Sequence, residues 1–411
     1  MLSNERQEML TRVGPKTPMG ELLRRYWMPV GASSELPSGS ALPRRLLGED
    51  LVLYRDTQGR PGLIEERCPH RGTSLTGGLV DEEGIRCPYH GWKFGASGAC
   101  LEMPAEPPDS NLLQNVTARA YPVEELGGLL FAYLGPEPPP LLPRYDLFVW
   151  DNVLRDIGRA LLPCNWLQIM ENSVDPHHVE WLHGHHLAHV RGSQGEDVPT
   201  HYRRRQIKVG FDLFEYGIVK RRVLEGGSEE DDDWKIGHPL VFPIMLRVGS
   251  YGQHRFQIRV PVDDTNTMHY WYACYQPADG VEPPMQPEIP LYEVPWLDEN
   301  GEHIVDFVDG QDIMAWVTQG PIADRTREIL GSSDRGIALY RRLLLDQVEV
   351  VRNGNDPLGV IRDPERNTII ELPQEREKFG QGAAFLAESM AMGHARYSPI
   401  KDKVLALLAL E

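Results

Sequence analysis

The chain has 411 residues, enough for two or three domains and a large core, and its 41% hydrophobic and 25% charged residues are ordinary for a globular protein. Lys and Arg number 42 against 60 Asp and Glu, a formal charge of −18, which disfavours nucleic acid and anionic membrane as partners. No apolar run approaches the ~18 residues that span a bilayer. Residues 1–8 lack the basic start and apolar stretch of a signal peptide, so a cytoplasmic protein is expected. The five cysteines, Cys68, Cys87, Cys100, Cys164 and Cys274, are odd in number and widely spread, which argues for metal ligation by a subset over a disulfide framework.

Residues 1–30 read as a helix and turn, with Leu22, Leu23, Tyr26 and Trp27 at helical spacing. From about 45 to 134, short apolar strands such as 51–54, 62–64 and 129–133 alternate with glycine-marked turns, the pattern of a small antiparallel β domain. The proline-rich stretch 135–143 is a stiff connector. The predicted organisation is a helical arm over 1–44, a β domain over 45–135, a linker over 136–143 and a larger domain over 144–411. In the larger domain two strands, 254–261 and 268–276, flank a turn at 263–266, and 337–353 has helical periodicity. The acidic run Glu229, Glu230, Asp231, Asp232, Asp233 reads as a solvated loop tip. The fold class is α+β, with an antiparallel sheet flanked by helices in the larger domain.

Within the β domain stand Cys68-Pro69-His70-Arg71-Gly72 and Cys87-Pro88-Tyr89-His90-Gly91-Trp92-Lys93-Phe94. Each loop carries one Cys and one His. Two histidines replacing two cysteines on one iron define a Rieske [2Fe–2S] centre, whose neutral imidazoles make the cluster easier to reduce. Zinc fingers pair like ligands with like, C-x2-4-C and H-x3-5-H, so a Cys2His2 zinc site is the weaker reading. Glycines after the ligands let the backbone approach the cluster.

The second cluster of chemistry-bearing residues follows the linker. Six histidines lie between His177 and His189. A mononuclear Fe(II) oxygenase needs two histidines and one carboxylate on one face, leaving the other open to O2 and substrate. Spacing alone does not choose the pair. His185 and His189 are i, i+4 on one helix face, whereas His178 and His183 are i, i+5 and require a widened turn or a helix end near 181–184. His177, His186 and His189 read individually as solvated or hydrogen-bonded. A zinc hydrolase built on His185 and His189 is disfavoured because H-E-x-x-H is absent.

The two cluster loops resemble those of Rieske-type ring-hydroxylating oxygenases. Respiratory Rieske proteins carry an extra cysteine in each loop; here there is none, and Tyr89 stands in the second loop. The pattern D-x2-H-x4-H of these oxygenases falls on Asp175, His178 and His183. The resemblance therefore implies Cys68, His70, Cys87 and His90 as cluster ligands, and His178 and His183 as iron ligands with His185 the main competitor. The segment 328–336 is similar to the corresponding helix start in phthalate-dioxygenase-like enzymes and points to Asp334 as the third iron ligand, with Asp324 and Glu328 as the nearest alternatives. The resemblance also implies a helix-grip-like catalytic domain and a homotrimer. In it, Asp175 would bridge to His90 of the neighbouring chain and carry the electron from cluster to iron. Glu171 and Asn172 fit the Glu-Asn pair that precedes the motif in naphthalene-dioxygenase-type enzymes, though one residue closer to Asp175.

Residues 10–20 and 356–364 are similar to the phthalate-dioxygenase-like branch, which stands close to a dehydrodivanillate O-demethylase and so spans ring hydroxylation and O-demethylation of aromatic acids. No G-x-G-x-x-G opens a β-α unit and no further cysteine set can hold a plant-type cluster, so a separate NAD(P)H-dependent reductase, with or without a ferredoxin, is implied. A carboxylated substrate calls for an arginine fork, for which Arg204, Arg247 and Arg255 are candidates, with Tyr251 or His254 against the ring. An electron carrier without oxygenase activity is the alternative, and a second iron-ligand set argues against it.

Overall fold

The computed structural model describes residues 1–196, 198–278 and 280–408. Two short helices, Asn4–Thr11 and Pro18–Leu23, open the chain, capped by the side chains of Ser3 and Thr17. The helical arm is shorter than 1–44: Met28–Ala32 is already a strand, paired antiparallel with Leu129–Ala132, and Ser40–Leu46 pairs with Glu49–Arg55. Apolar residues at Met28, Val30 and Ala32 are buried by that pairing, which overrides the helical spacing before them.

Three small sheets make up the β domain. Met28–Ala32, Leu129–Ala132 and Val123–Leu126 form one; Ser40–Leu46, Glu49–Arg55, Pro61–Glu65 and Ala120–Tyr121 form the second. The third is a meander of Leu79–Val80, Ile85–Arg86, Lys93–Phe94 and Cys100–Glu102. The larger domain is built on one eight-stranded sheet. Its central strands, Gln253–Pro261 and Thr267–Tyr275, pair in continuous register from Gln253 opposite Tyr275 to Pro261 opposite Thr267. Asp263 Oδ1 closes their turn by accepting from the Thr265 and Asn266 nitrogens, both at 2.9 Å. One edge departs from the antiparallel expectation, since Leu291–Glu293 lies parallel to Leu154–Leu162.

Helix Trp166–Ser173 packs on strand Gln253–Pro261, and helix Arg335–Arg352 packs on that helix and on Pro18–Leu23, burying Tyr340, Leu343, Leu344, Val348 and Val351. Glu171 locks the two helices together: its carboxylate accepts from Arg325 at 2.8 Å and from Arg341 at 2.6 Å, all three side chains being buried. Burial alone would raise the Glu171 pKa, but the two guanidiniums outweigh it and hold the carboxyl below its ordinary value. The sign follows from that depression: the stabilisation is complete above the ordinary glutamate range and is lost as pH falls through the lowered folded value. Glu171→Gln strands the buried Arg325, leaves Arg341 to Glu328 alone, and lowers the unfolding free energy by about 3 kcal/mol in urea titration. An unchanged midpoint would show that the arginines find other partners. Glu171 is thus a structural anchor.

Candidate metal centres and active-site cavity

The two Cys-His loops fold as near copies of one turn. Cys68 N–H donates to Thr73 O and Gly72 N–H to Cys68 O; in the second loop Cys87 N–H donates to Trp92 O and Gly91 N–H to Cys87 O. Gly72 and Gly91 both sit at φ 75°, a left-handed conformation that closes each turn without a Cβ penalty. The turns set Cys68 and Cys87 side by side in the interior, while the His70 and His90 rings stand at the domain tip with centroids 4.6 Å apart. Trp92 stacks on His70 at 4.4 Å and Tyr89 leans on His90 at 3.8 Å, which restrains both imidazoles. No cysteine is in a disulfide. Burial pushes the Cys68 thiol up to about 11, so Cys68 becomes thiolate only when a metal compensates. Two buried sulfurs under two outward imidazoles fit a [2Fe–2S] cluster with its histidine iron toward the surface.

The second centre rests on an unusual helix. Val179–His186 is a π-helix, with its i→i+5 bonding, and His178 stands at its N-terminus. The wider turn places His178 and His183 on one face, the widening that their spacing required. Gly184 has no room for a side chain, because a Cβ there would stand 2.7 Å from Tyr202 O; the helix is thereby pressed onto the turn Thr200–Arg203. Opposite lies helix Val308–Val317, which contributes Gln311 and Asp312.

His178, His183 and Asp312 bring one ligand atom each within 4.8 Å of one another, the single such group of His, Cys, Asp or Glu among the described residues. Asp312 Oδ1 is 3.2 Å from His183 Nε2 and 3.8 Å from His178 Nε2, and this oxygen is buried without a hydrogen-bond partner. The far side of His183 is held, its Nδ1 lying 3.2 Å from Gln311 Oε1, and Asp175 Oδ2 lies 3.4 Å from His178 Nδ1 without an aligned hydrogen bond. Burial opposes a charge on His183, yet Asp312 and Gln311 outweigh it and raise the ring's affinity for a proton. The same attraction serves a divalent cation. Two Nε2 atoms and an orphaned carboxylate oxygen, with Gln311 behind His183 and Asp175 beside His178, fit a two-histidine, one-carboxylate iron site.

Asp334, expected as the third ligand, is elsewhere. It precedes helix Arg335–Arg352 and accepts from Gly331 N–H at 2.6 Å, so it serves a helix start. Asp324 caps Thr326, and Glu328 pairs with Arg341. Of the other histidines, His185 is exposed and packs on Trp181, His189 is exposed, and His186 Nδ1 lies 3.1 Å from Gln311 Nε2. Asp312 escapes notice because it lies 129 residues from His183 and no local spacing links the two. A signal did exist: Asp309, Gln311 and Asp312 are three polar groups buried in an otherwise apolar helix.

Beside the three ligand side chains opens a cavity of about 770 Å³ including its mouth. Leu246, Val248, Phe379, Phe385 and Met392 give it apolar walls, and Lys220, Arg222, Arg255 and Lys378 bring buried cations. Of the substrate arginines expected, only Arg255 lines it. Arg247 is committed to Asp146 and Gln374, Arg204 to the backbone oxygens of Glu225 and Phe379, and Tyr251 and His254 line a separate cavity with Trp150.

The acidic run departs from a solvated tip. Asp233 is buried, accepts from Arg222 Nε at 2.7 Å and from Phe379 N–H at 2.9 Å, and so fixes both to the cavity wall. Asp232 receives the amides of Arg376 and Glu377.

A thiolate–imidazole cradle in a small β domain, and a two-histidine, one-carboxylate set on a cavity in a larger one, define a two-centre iron oxidoreductase. A Rieske [2Fe-2S] domain family matches residues 26–122, and a LigXa C-terminal domain-like family matches 132–285 and 300–370. The chain is 45% identical to the 5,5'-dehydrodivanillate O-demethylase oxygenase subunit of a Sphingobium species, covering 91% of this chain and 87% of that one. It is 32% identical to the phthalate 4,5-dioxygenase oxygenase subunit of Pseudomonas putida, over 87% and 89% of the two chains. The terminal oxygenase of carbazole 1,9a-dioxygenase from Nocardioides aromaticivorans shares the fold, with TM-score 0.61 at 19% identity over 84% of this chain and 98% of that one. The protein belongs to the Rieske non-haem iron oxygenases, as the oxygenase component. It is an enzyme that uses a Rieske [2Fe–2S] cluster, a mononuclear iron and O2.

Proposed function

We propose that the protein O-demethylates a methoxylated aromatic acid, with the cluster held by Cys68, His70, Cys87 and His90 and the mononuclear iron by His178, His183 and Asp312. The observation that supports this most is the orphaned Asp312 oxygen, set against two Nε2 atoms on a cavity whose walls combine apolar surface with buried cations. The two curated relatives act on dehydrodivanillate and phthalate, both aromatic dicarboxylates, and the more similar is an O-demethylase. When bound, the iron activates O2 at the cavity wall with electrons supplied through the cluster. The residues of the chain do the rest. Gln311 and Asp175 hold the histidine rings so that each offers Nε2, the apolar wall takes the aromatic ring and excludes water, and the cations orient the acid.

Asp175 pairs with His178 alone among the charged groups within 4.0 Å in the described chain, and its side chain keeps a quarter of its surface exposed. It therefore has an edge free for the cluster histidine of a neighbouring subunit. The reading includes a homotrimer in the cytoplasm that receives electrons from a separate NAD(P)H-dependent reductase or ferredoxin. No helix is long and apolar enough to cross a membrane among the described residues.

The test is to supply reduced enzyme with O2 and a panel of methoxylated and phthalate-like acids, following formaldehyde and product mass together. Formaldehyde with loss of CH2 from the product is the expected result. Product that has gained oxygen without formaldehyde would make the enzyme a ring hydroxylase instead.

A further inference from the structure

Lys220 is a buried ammonium whose charge no carboxylate answers. The residue is 6% exposed, its Nζ lies 3.4 Å from the backbone oxygen of Asp175, and no carboxylate pairs with it within 4.0 Å among the described residues. The neighbouring cations are paired: Arg222 with Asp233 at 2.7 Å, and Lys378 with Glu375 at 3.7 Å. Even Arg222 directs both Nε and Nη2 at the one oxygen, Asp233 Oδ1, which leaves Nη2 without an aligned acceptor. Lys220 and Arg222 are two residues apart on strand Gly217–Leu224 and so share a face. Both line the cavity that also exposes His178, His183 and Asp312, and Lys378 joins them there.

An unpaired buried charge is costly, several kcal/mol in a low-dielectric site, unless something compensates it. Burial and the nearby Arg222 press the Lys220 ammonium down to about 7, against the weaker opposing pull of Asp175. We propose that Lys220, flanked by Arg222 and Lys378, is the subsite that receives a carboxylate of the aromatic substrate. This rests on the aromatic-acid reading above and names the residue that enforces it. The acid supplies the missing counter-charge, while Phe379, held under Arg222 with the guanidinium 4.4 Å from its ring centre, supplies apolar surface beside it.

The experiment measures anaerobic binding to the holoenzyme by calorimetry, with 5,5'-dehydrodivanillate and phthalate as probes beside their dimethyl esters. Wild type is expected to prefer each acid over its ester by at least ~10-fold, the scale of a charge-assisted hydrogen bond. Lys220→Met is expected to reduce that preference to within ~3-fold while ester affinity holds, and to raise the Tm of the ligand-free protein by removing an unpaired buried charge. Lys220→Gln gives the same loss of preference should the methionine variant fail to accumulate. If wild type shows no preference for acids, the aromatic-acid reading falls and the subsite with it. If wild type prefers acids and the Lys220 variants do so equally, the subsite alone is overturned. Equal loss of acid and ester binding in a less stable variant also overturns it, since that outcome marks a structural lysine.

Discussion

Asp312→Ala is expected to yield a protein that keeps its Rieske spectrum but holds about two irons per chain in place of about three, with turnover reduced by more than ~100-fold. The carboxylate supplies the single anionic contact in the group with His178 and His183, and its Oδ1 has no other partner in the interior. Removing it leaves two neutral imidazoles, too little charge to retain a divalent cation against buffer. Asp334→Ala supplies the contrast. That residue accepts one backbone N–H at a helix start, so its loss costs about 1 kcal/mol of stability and leaves iron content unchanged. Iron analysis of the two variants decides between the two positions. Full iron in Asp312→Ala together with loss in Asp334→Ala would return the ligand to the position expected from sequence.

The second large effect is at Asp175. Asp175→Asn is expected to retain both metal centres, with unchanged cluster spectrum and iron content, and to lose at least ~100-fold in turnover. The carboxylate orients His178 from behind and is itself fixed by the His177 N–H at 2.8 Å, while its remaining edge is exposed. An amide keeps the shape but removes the charge beside the His178 imidazole. Rapid-mixing measurement of cluster reoxidation separates this from damage to the iron site: the variant is expected to stay reduced in the presence of substrate and O2. Reoxidation at the wild-type rate would remove Asp175 from the electron path.

The two Cys-His loops were legible as a candidate cluster site because the chemistry is local. Each Cys and its His share one turn, and Gly72 and Gly91 mark where that turn must close. The proposed iron histidines were half legible. Their i, i+5 spacing demanded a widened turn, and the π-helix over Val179–His186 supplies it, but spacing alone left His185 in contention. The proposed carboxylate was not legible from spacing, because helix packing alone brings Asp312 to the histidines, while Asp334, to which similarity at 328–336 points, stands at a helix start. The cavity wall was hidden for a related reason. Nothing in the sequence singles out Lys220 and Arg222, whose face the sheet turns inward, and Asp233 reads as solvent-facing within an acidic run until Arg222 draws it into the interior.

The most direct test of the whole assignment is a single turnover. The holoenzyme is reduced chemically, freed of reductant and mixed with O2 and 5,5'-dehydrodivanillate, and cluster absorbance, formaldehyde and product are followed together. Cluster oxidation in step with product, in wild type and not in Asp312→Ala, is the predicted result. Cluster oxidation that proceeds equally in both proteins, with no product from either, would show a chain that carries electrons without using them on an aromatic acid.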